Sequence, residues 1–181
     1  MLAVCCLLGG CSGQSKQMQE VLAFRAMLLG GGGCSFQAEV EAQYDAYHST
    51  FLLQCQYDAA ADTLDFTVLE PESIAGITGQ IAQDRRTLSF SDLALEMELL
   101  AEETVSPVAL PQIISQSWAK SYIASAGTDR DYLVAVFQNG YEDDTIKIET
   151  WFEQGLPVWA DVWYEGDCQA SVRITEFTVQ K

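Results

Sequence analysis

The chain has 181 residues, enough for one domain with a core that holds without metal or disulfide staples. Nine Lys and Arg against 26 Asp and Glu leave a net charge of −17, which repels a phosphate backbone and anionic headgroups and argues against a nucleic-acid partner. Apolar residues at 49% with charged residues at 19% describe a globular chain, not a disordered one.

The chain opens MLAVCCLLGGC, an apolar run that closes on Gly9, Gly10 and Cys11 before the polar Ser12. Small residues just before a cysteine suit a signal peptidase. The run is far shorter than the roughly 20 apolar residues of a bilayer span. It resembles the lipobox signal of bacterial lipoproteins, although no Lys or Arg precedes Lys16. By that resemblance residues 1–10 are a lipoprotein signal peptide, Cys11 is lipidated and residues 11–17 are a tether. The protein is then exported and anchored to the outer face of the cell membrane or of an envelope membrane. Two acyl chains hold a protein stably where one binds only marginally. Without a signal, the same residues read as a buried segment ending in a Gly-rich turn.

In residues 18–29, Met18, Val21, Leu22, Arg25, Leu28 and Leu29 recur at three- and four-residue steps and predict a helix. The glycines at 30–33 stop it. In residues 34–44, Phe36, Ala38, Val40, Ala42 and Tyr44 alternate with Gln37, Glu39, Glu41 and Gln43, the pattern of a half-buried strand. Residues 45–48 turn the chain, and 50–57 return with Phe51, Leu53, Cys55 and Tyr57 on one face. After a turn at 59–62, Leu64, Phe66 and Val68 form a third strand that Pro71 ends. Three such strands make a meander.

Cysteines 5 and 6 belong to the signal. Cys34 and Cys55 share the inward parity of the first hairpin, at comparable distances from its turn. A disulfide there would close a loop of about 20 residues in an oxidising compartment; two buried thiols fit the pattern equally well. Cys168 is left free.

Short strands are predicted near 78–83 and 87–91, and 93–100 reads as strand or helix. Ser106-Pro107 opens a helical pattern in which Leu110, Ile113, Ile114, Trp118 and Tyr122 share a face, with Pro111 in the first turn. Residues 132–137 are apolar on both faces. Asn139-Gly140 is a strong turn signal in a loop lengthened by Glu142, Asp143 and Asp144. Residues 146–152 and 158–164 flank a hairpin turn, and 165–167 lead into a last strand at 170–178.

The order predicts an α+β domain, a strongly curved antiparallel sheet with two helices on its concave side. Met27, Phe36, Phe51, Leu53, Leu64, Phe66 and Trp118 are its candidate interior residues. They line a ligand cavity or fill a dry core. Trp151, Trp159 and Trp163 share one parity, opposite to Ile146, Ile148, Phe152, Val158 and Val162. That hairpin is therefore apolar on both faces, either covered twice or offering the Trp face as a contact surface.

Catalytic constellations are missing. His48 is the only histidine, so triads have little to draw on. There is no Gly-x-Ser-x-Gly, no Walker loop and no Gly-x-Gly-x-x-Gly. The pairs Glu102-Glu103 and Asp143-Asp144 read as solvated charge. Asp58, Asp62 and Asp65 lack the glycine and terminal glutamate of a calcium loop. No cofactor, metal site or enzymatic activity is expected.

The element order resembles the bacterial lipoprotein-localisation superfamily, of LolA, LolB and LppX type. The likeness is carried by Gly33-Cys34-Ser35-Phe36 after the first helix and by the strand Phe36-Gln37-Ala38-Glu39-Val40-Glu41-Ala42. It continues in Pro71-Glu72-Ser73-Ile74-Ala75-Gly76-Ile77, in Ser106-Pro107-Val108-Ala109-Leu110 before the second helix, and in Trp151 to Pro157 leading to Ile174-Thr175-Glu176-Phe177. It covers residues 18–181 as a single domain and implies an open half-barrel with helices covering the concave face. It further implies non-catalytic binding of a hydrophobic ligand, a lipid or the acyl chain of a lipoprotein, in an apolar cavity. The rival reading is an envelope interaction or sensor module with a filled core, which binds a protein partner through the Trp face or loops.

Overall fold

The computed structural model describes residues 15–44, 47–82, 86–90, 93–96, 100–101, 104–105, 107–138 and 146–180, with the side chains at 42–49 and 86–105 outside the description. The predicted signal peptide, Cys11, and the acids at 102–103 and 142–144 lie outside the described residues, as does the Asn139-Gly140 turn.

Helix α1 spans Lys16–Gly30, with the Ser15 side chain accepting from the Met18 N–H at its start. It buries Val21, Phe24 and Leu28, whereas Leu22 and Leu29 stay exposed. The buried stripe is thus centred one residue away from the predicted one, and it takes in Phe24. At the helix end Gly33 has φ +145, and a Cβ there would overlap the Tyr57 carbonyl oxygen. Only glycine lets the chain turn so closely into the sheet.

The strands follow as β1 (Gly33–Tyr44), β2 (Tyr47–Asp58), β3 (Thr63–Glu70), β4 (Thr78–Ala82), β5 (Arg86–Phe90) and β6 (Leu93–Glu96). A small hairpin, β7 (Leu100–Ala101) with β8 (Thr104–Val105), precedes α2 (Leu110–Lys120). Five strands complete the chain: β9 (Tyr122–Asp129), β10 (Tyr132–Gln138), β11 (Lys147–Glu153), β12 (Leu156–Tyr164) and β13 (Asp167–Val179). Eleven of them form one antiparallel sheet in the order β6-β5-β4-β3-β2-β1-β13-β12-β11-β10-β9. The sheet is not closed, because β6 and β9 are its two edges. Both helices contribute to the single core cluster on one face. This is the expected α+β layout of an open sheet with two helices.

Several expectations change. His48 pairs with Gln43 inside the β1–β2 ladder, so the strands extend further into the predicted turn. Residues 93–96 form a strand. Tyr122 does not continue the apolar face of α2; it starts β9 and is 58% exposed. Strand β9 has no clear alternation, because its Ala, Ser and Gly residues carry little side chain to bury, and only Ile123 is buried.

Cys34 and Cys55 are free thiols, not a disulfide. Cys34 lies opposite Tyr57 and Cys55 opposite Phe36, so the two cysteines are diagonal neighbours. Diagonal positions hold residues about 7–8 Å apart, beyond the 3.5–4.5 Å Cβ separation of a disulfide. Burial pushes the Cys34 thiol up to about 12 and raises Cys55 as well, with Cys34 beside it adding to the shift.

Candidate functional site

The concave face is closed by five aromatic rings from five elements: Phe24 of α1, Phe36 of β1, Trp118 of α2, Phe152 of β11 and Phe177 of β13. Phe24 meets Phe152 edge-on at 4.9 Å, and the Phe24–Trp118, Phe36–Trp118 and Trp118–Phe177 centroids lie 5.8 to 6.0 Å apart. Such edge-on and tilted contacts suit the ring quadrupoles. The Trp118 indole N–H donates to Thr150 Oγ1 at 3.0 Å, which satisfies both buried polar groups. Phe177 reaches this cluster through a β-bulge. The β1–β13 register shifts between Ser35 and Gln37, and Glu176 takes φ +52, so the next side chain turns back inward.

The interior candidates divide. Phe36, Leu53, Leu64 and Trp118 are fully buried and Phe66 is 3% exposed, all in one packed cluster. Phe51 is half-buried against the edge of that cluster. Met27 is 41% exposed and lies outside the core, because the buried stripe of α1 runs through Phe24 and Leu28. These residues fill the space between sheet and helices where the sequence left a cavity open as an option.

Two polar contacts fix the helices over the sheet. The Arg25 guanidinium reaches from α1 to the C-terminus of α2. It donates to the carbonyl oxygens of Trp118 (2.7 Å), Ser121 (2.6 Å) and Ser117 (3.3 Å), and lies 5.7 Å from the centre of the Phe137 ring. A cation at this end complements the helix dipole. At the β2–β3 turn, Asp62 is buried and accepts from the Tyr57 hydroxyl (2.8 Å), Gln116 Nε2 (2.7 Å) and Lys120 Nζ (2.8 Å). Burial alone would raise its carboxyl; the bonds from Lys120, Gln116 and Tyr57 outweigh it and hold Asp62 below the usual carboxylate range. Of the three aspartates considered for calcium, Asp62 therefore faces donors. Asp58 instead caps its turn through the N–H groups of Ala60 and Ala61. No group of His, Cys, Asp or Glu among the described residues is arranged to hold a metal.

Beside this packed centre runs a groove of about 640 Å³ between α1 and the ends of the C-terminal strands. Phe24, Leu133 and Phe152 form its apolar floor, with Ala23 and Met27 on the helix side and Leu156 on the far wall. Lys16, Glu20 and Asp131 mark the polar rim. Gln17 Nε2 approaches Thr128 Oγ1 at 3.4 Å and ties the start of α1 to the end of β9. A volume of this size is within the usual range for a small-molecule site. Sequence periodicity points to Met27 alone among its lining residues, since the groove joins segments more than a hundred positions apart.

The opposite, outer face of the C-terminal strands carries a row in register, Val134–Trp151–Trp159–Arg173–Glu39. Arg173 pairs with Glu39 at 3.6 Å. Trp151 and Trp159 are partly buried and line a second depression of about 600 Å³ with Tyr132, Val158 and Arg130. Val158 was expected on the inner side. The register shift between Trp151 and Phe152 buries Pro157 instead and turns Val158 outward. The Trp159 indole and Ser171 hydroxyl both donate to Asp161 Oδ1 at 2.7 Å. Glu149 lies directly opposite Asp161; burial, then Asp161 and Asp129, raise its carboxyl.

No protein-family model and no curated protein sequence matches the chain. Solved structures do. A domain named as an outer membrane lipoprotein-sorting protein, from Vibrio parahaemolyticus, is 11% identical, with 91% of this chain and 92% of that one covered at a TM-score of 0.51. A LolA superfamily protein from Nitrosomonas europaea is 8% identical, with 93% and 95% covered at 0.48. The lipoprotein LppX of Mycobacterium tuberculosis is 9% identical, with 88% and 90% covered at 0.41. At such identities the likeness is one of fold. The first neighbour carries it, and the fold is the open half-barrel with helices over its concave side.

Proposed function

We propose that this protein is a non-catalytic binder of an apolar molecule, a lipid or the acyl chain of a lipidated protein, held at a membrane by a lipid on Cys11. The groove beside α1 carries the reading. Its floor is aromatic and aliphatic, its volume of about 640 Å³ suits one small ligand, and its open side spares the ligand from displacing the packed centre. Affinity comes from burial, about 0.8 kcal/mol per methylene removed from water. Loose specificity follows, because one methylene discriminates weakly. No helix among the described residues is long and apolar enough to cross a membrane, so anchoring in this reading falls to Cys11. The lipoprotein-sorting name of the structural neighbour agrees with this direction.

Ala23 is exposed on α1 and lines the groove. Ala23→Trp therefore fills the groove by lying over Phe24 and Phe152, with no change to a core residue. Mass spectrometry of gently purified protein should detect co-purifying lipid in the wild type and little in A23W. Equal lipid in both, or none in the wild type, refutes the groove as the site. The rival module has a filled centre, which the burial of Phe36, Leu53, Leu64 and Trp118 favours. It predicts no lipid and a protein partner that Trp159→Ala releases.

A further inference from the structure

The two depressions stand back to back at one end of the C-terminal strands, an edge of the domain formed by turns. The β9–β10 turn gives Thr128, Asp131 and Leu133 to the inner groove and Asp129, Arg130 and Tyr132 to the outer one. The β11–β12 turn divides likewise, with Gln154, Gly155 and Leu156 inward and Glu153 and Val158 outward. Apolar surface reaches solvent here: Tyr132 and Leu156 are 37% and 38% exposed, beside the partly buried Trp151, Trp159 and Val158.

The start of α1 lies at the same edge, through Lys16 and Gln17. Cys11 precedes the helix cap Ser15 by four residues, a reach of at most about 14 Å. A lipid on Cys11 therefore brings the bilayer to this edge of the domain. Lys16, Arg130 and Arg173 stand among Glu20, Glu39, Asp129, Asp131, Glu153 and Asp161, so this edge keeps the acidic sign of the whole chain. An acidic edge disfavours anionic headgroups, and its Trp and Tyr suit the headgroup layer of a zwitterionic membrane, where amphipathic rings settle.

We infer that the edge formed by the β9–β10 and β11–β12 turns is the membrane-facing side of the domain, with Tyr132, Trp151, Leu156 and Trp159 bedded among zwitterionic headgroups. The inference rests on the anchoring part of the proposed function. It adds an orientation in which both depressions open toward the lipid, so that a bilayer lipid reaches the α1 groove without crossing water.

The test uses the full chain, processed in cells and reconstituted into phosphatidylcholine–phosphatidylethanolamine vesicles, with or without brominated acyl chains. Brominated lipid should quench the tryptophan fluorescence of the wild type, and the quenching should fall by more than half in the Trp151→Phe, Trp159→Phe double variant. Leu156→Asp, which leaves both fluorophores in place, should reduce it by about a third or more. Absence of quenching in the anchored wild type, or quenching unchanged in the double variant, overturns the inference. So does a site-specific cross-link from position 159 to a protein in place of lipid. The intact mass reports Cys11 separately: an unmodified thiol defeats the anchor itself, a failure read in the mass spectrum and not in the fluorescence.

Discussion

Asp62, buried at the end of an otherwise exposed turn, gathers three side-chain donors, and its backbone takes φ +55. Its carboxyl is held below the usual range, so it binds its proton less readily in the fold than in the unfolded chain. The resulting stabilisation is complete above the ordinary carboxylate value near 3.9 and fades as the pH falls below it. Asp62→Asn keeps a residue that tolerates left-handed backbone but removes the charge. It should cost about 2 kcal/mol at pH 7, and urea titrations should show its stability falling less steeply than the wild type's below about pH 4. Arg25 is the companion on the other side of the roof. Arg25→Met keeps the apolar stem and removes the side-chain donor from the Trp118 and Ser121 carbonyl oxygens, whereas the Ser117 oxygen keeps the Ser121 N–H. A loss of about 2–3 kcal/mol is expected, read as a lower urea midpoint at unchanged slope.

At the scale of elements, the meander β1–β3 was legible because every second residue faces the core: Phe36, Ala38 and Val40, then Leu53, Cys55 and Tyr57, then Leu64, Phe66 and Val68 are all buried. Alternation fails where the ladder is irregular. Bulges turn Phe177 inward and Val158 outward, and neither shift leaves a mark in residue type. Strand β9 was illegible for a different reason, since an edge strand of small residues has almost no periodicity to show. Of the two readings of Cys34 and Cys55, register decides for buried thiols: an offset of two residues along the ladder separates an opposed pair from a diagonal one. The groove was out of reach altogether, since its floor joins Phe24 to Leu133 and Phe152. Met27 was legible as an apolar residue of α1 but was assigned to the centre in place of the groove wall.

At the scale of the whole molecule, the groove is formed jointly by α1 and the C-terminal strands, so it exists only in the folded chain. Ligand binding there must add to global stability by mass action. A ligand at a hundred times its dissociation constant adds about 2.7 kcal/mol. The probe should be neutral, because a net charge of −17 repels a fatty-acid carboxylate. Monooleoylglycerol meets that need. It should raise the urea midpoint of the wild type in proportion to the logarithm of its concentration. Ala23→Trp adds its ring on an exposed helix face and leaves the core rings where they are. Its unliganded stability should therefore stay within about 0.5 kcal/mol of the wild type, while the ligand-dependent rise disappears. A rise of equal size in A23W would place the ligand elsewhere on the fold. A rise in neither would leave the aromatic centre as packing alone and return the function to the outer tryptophans.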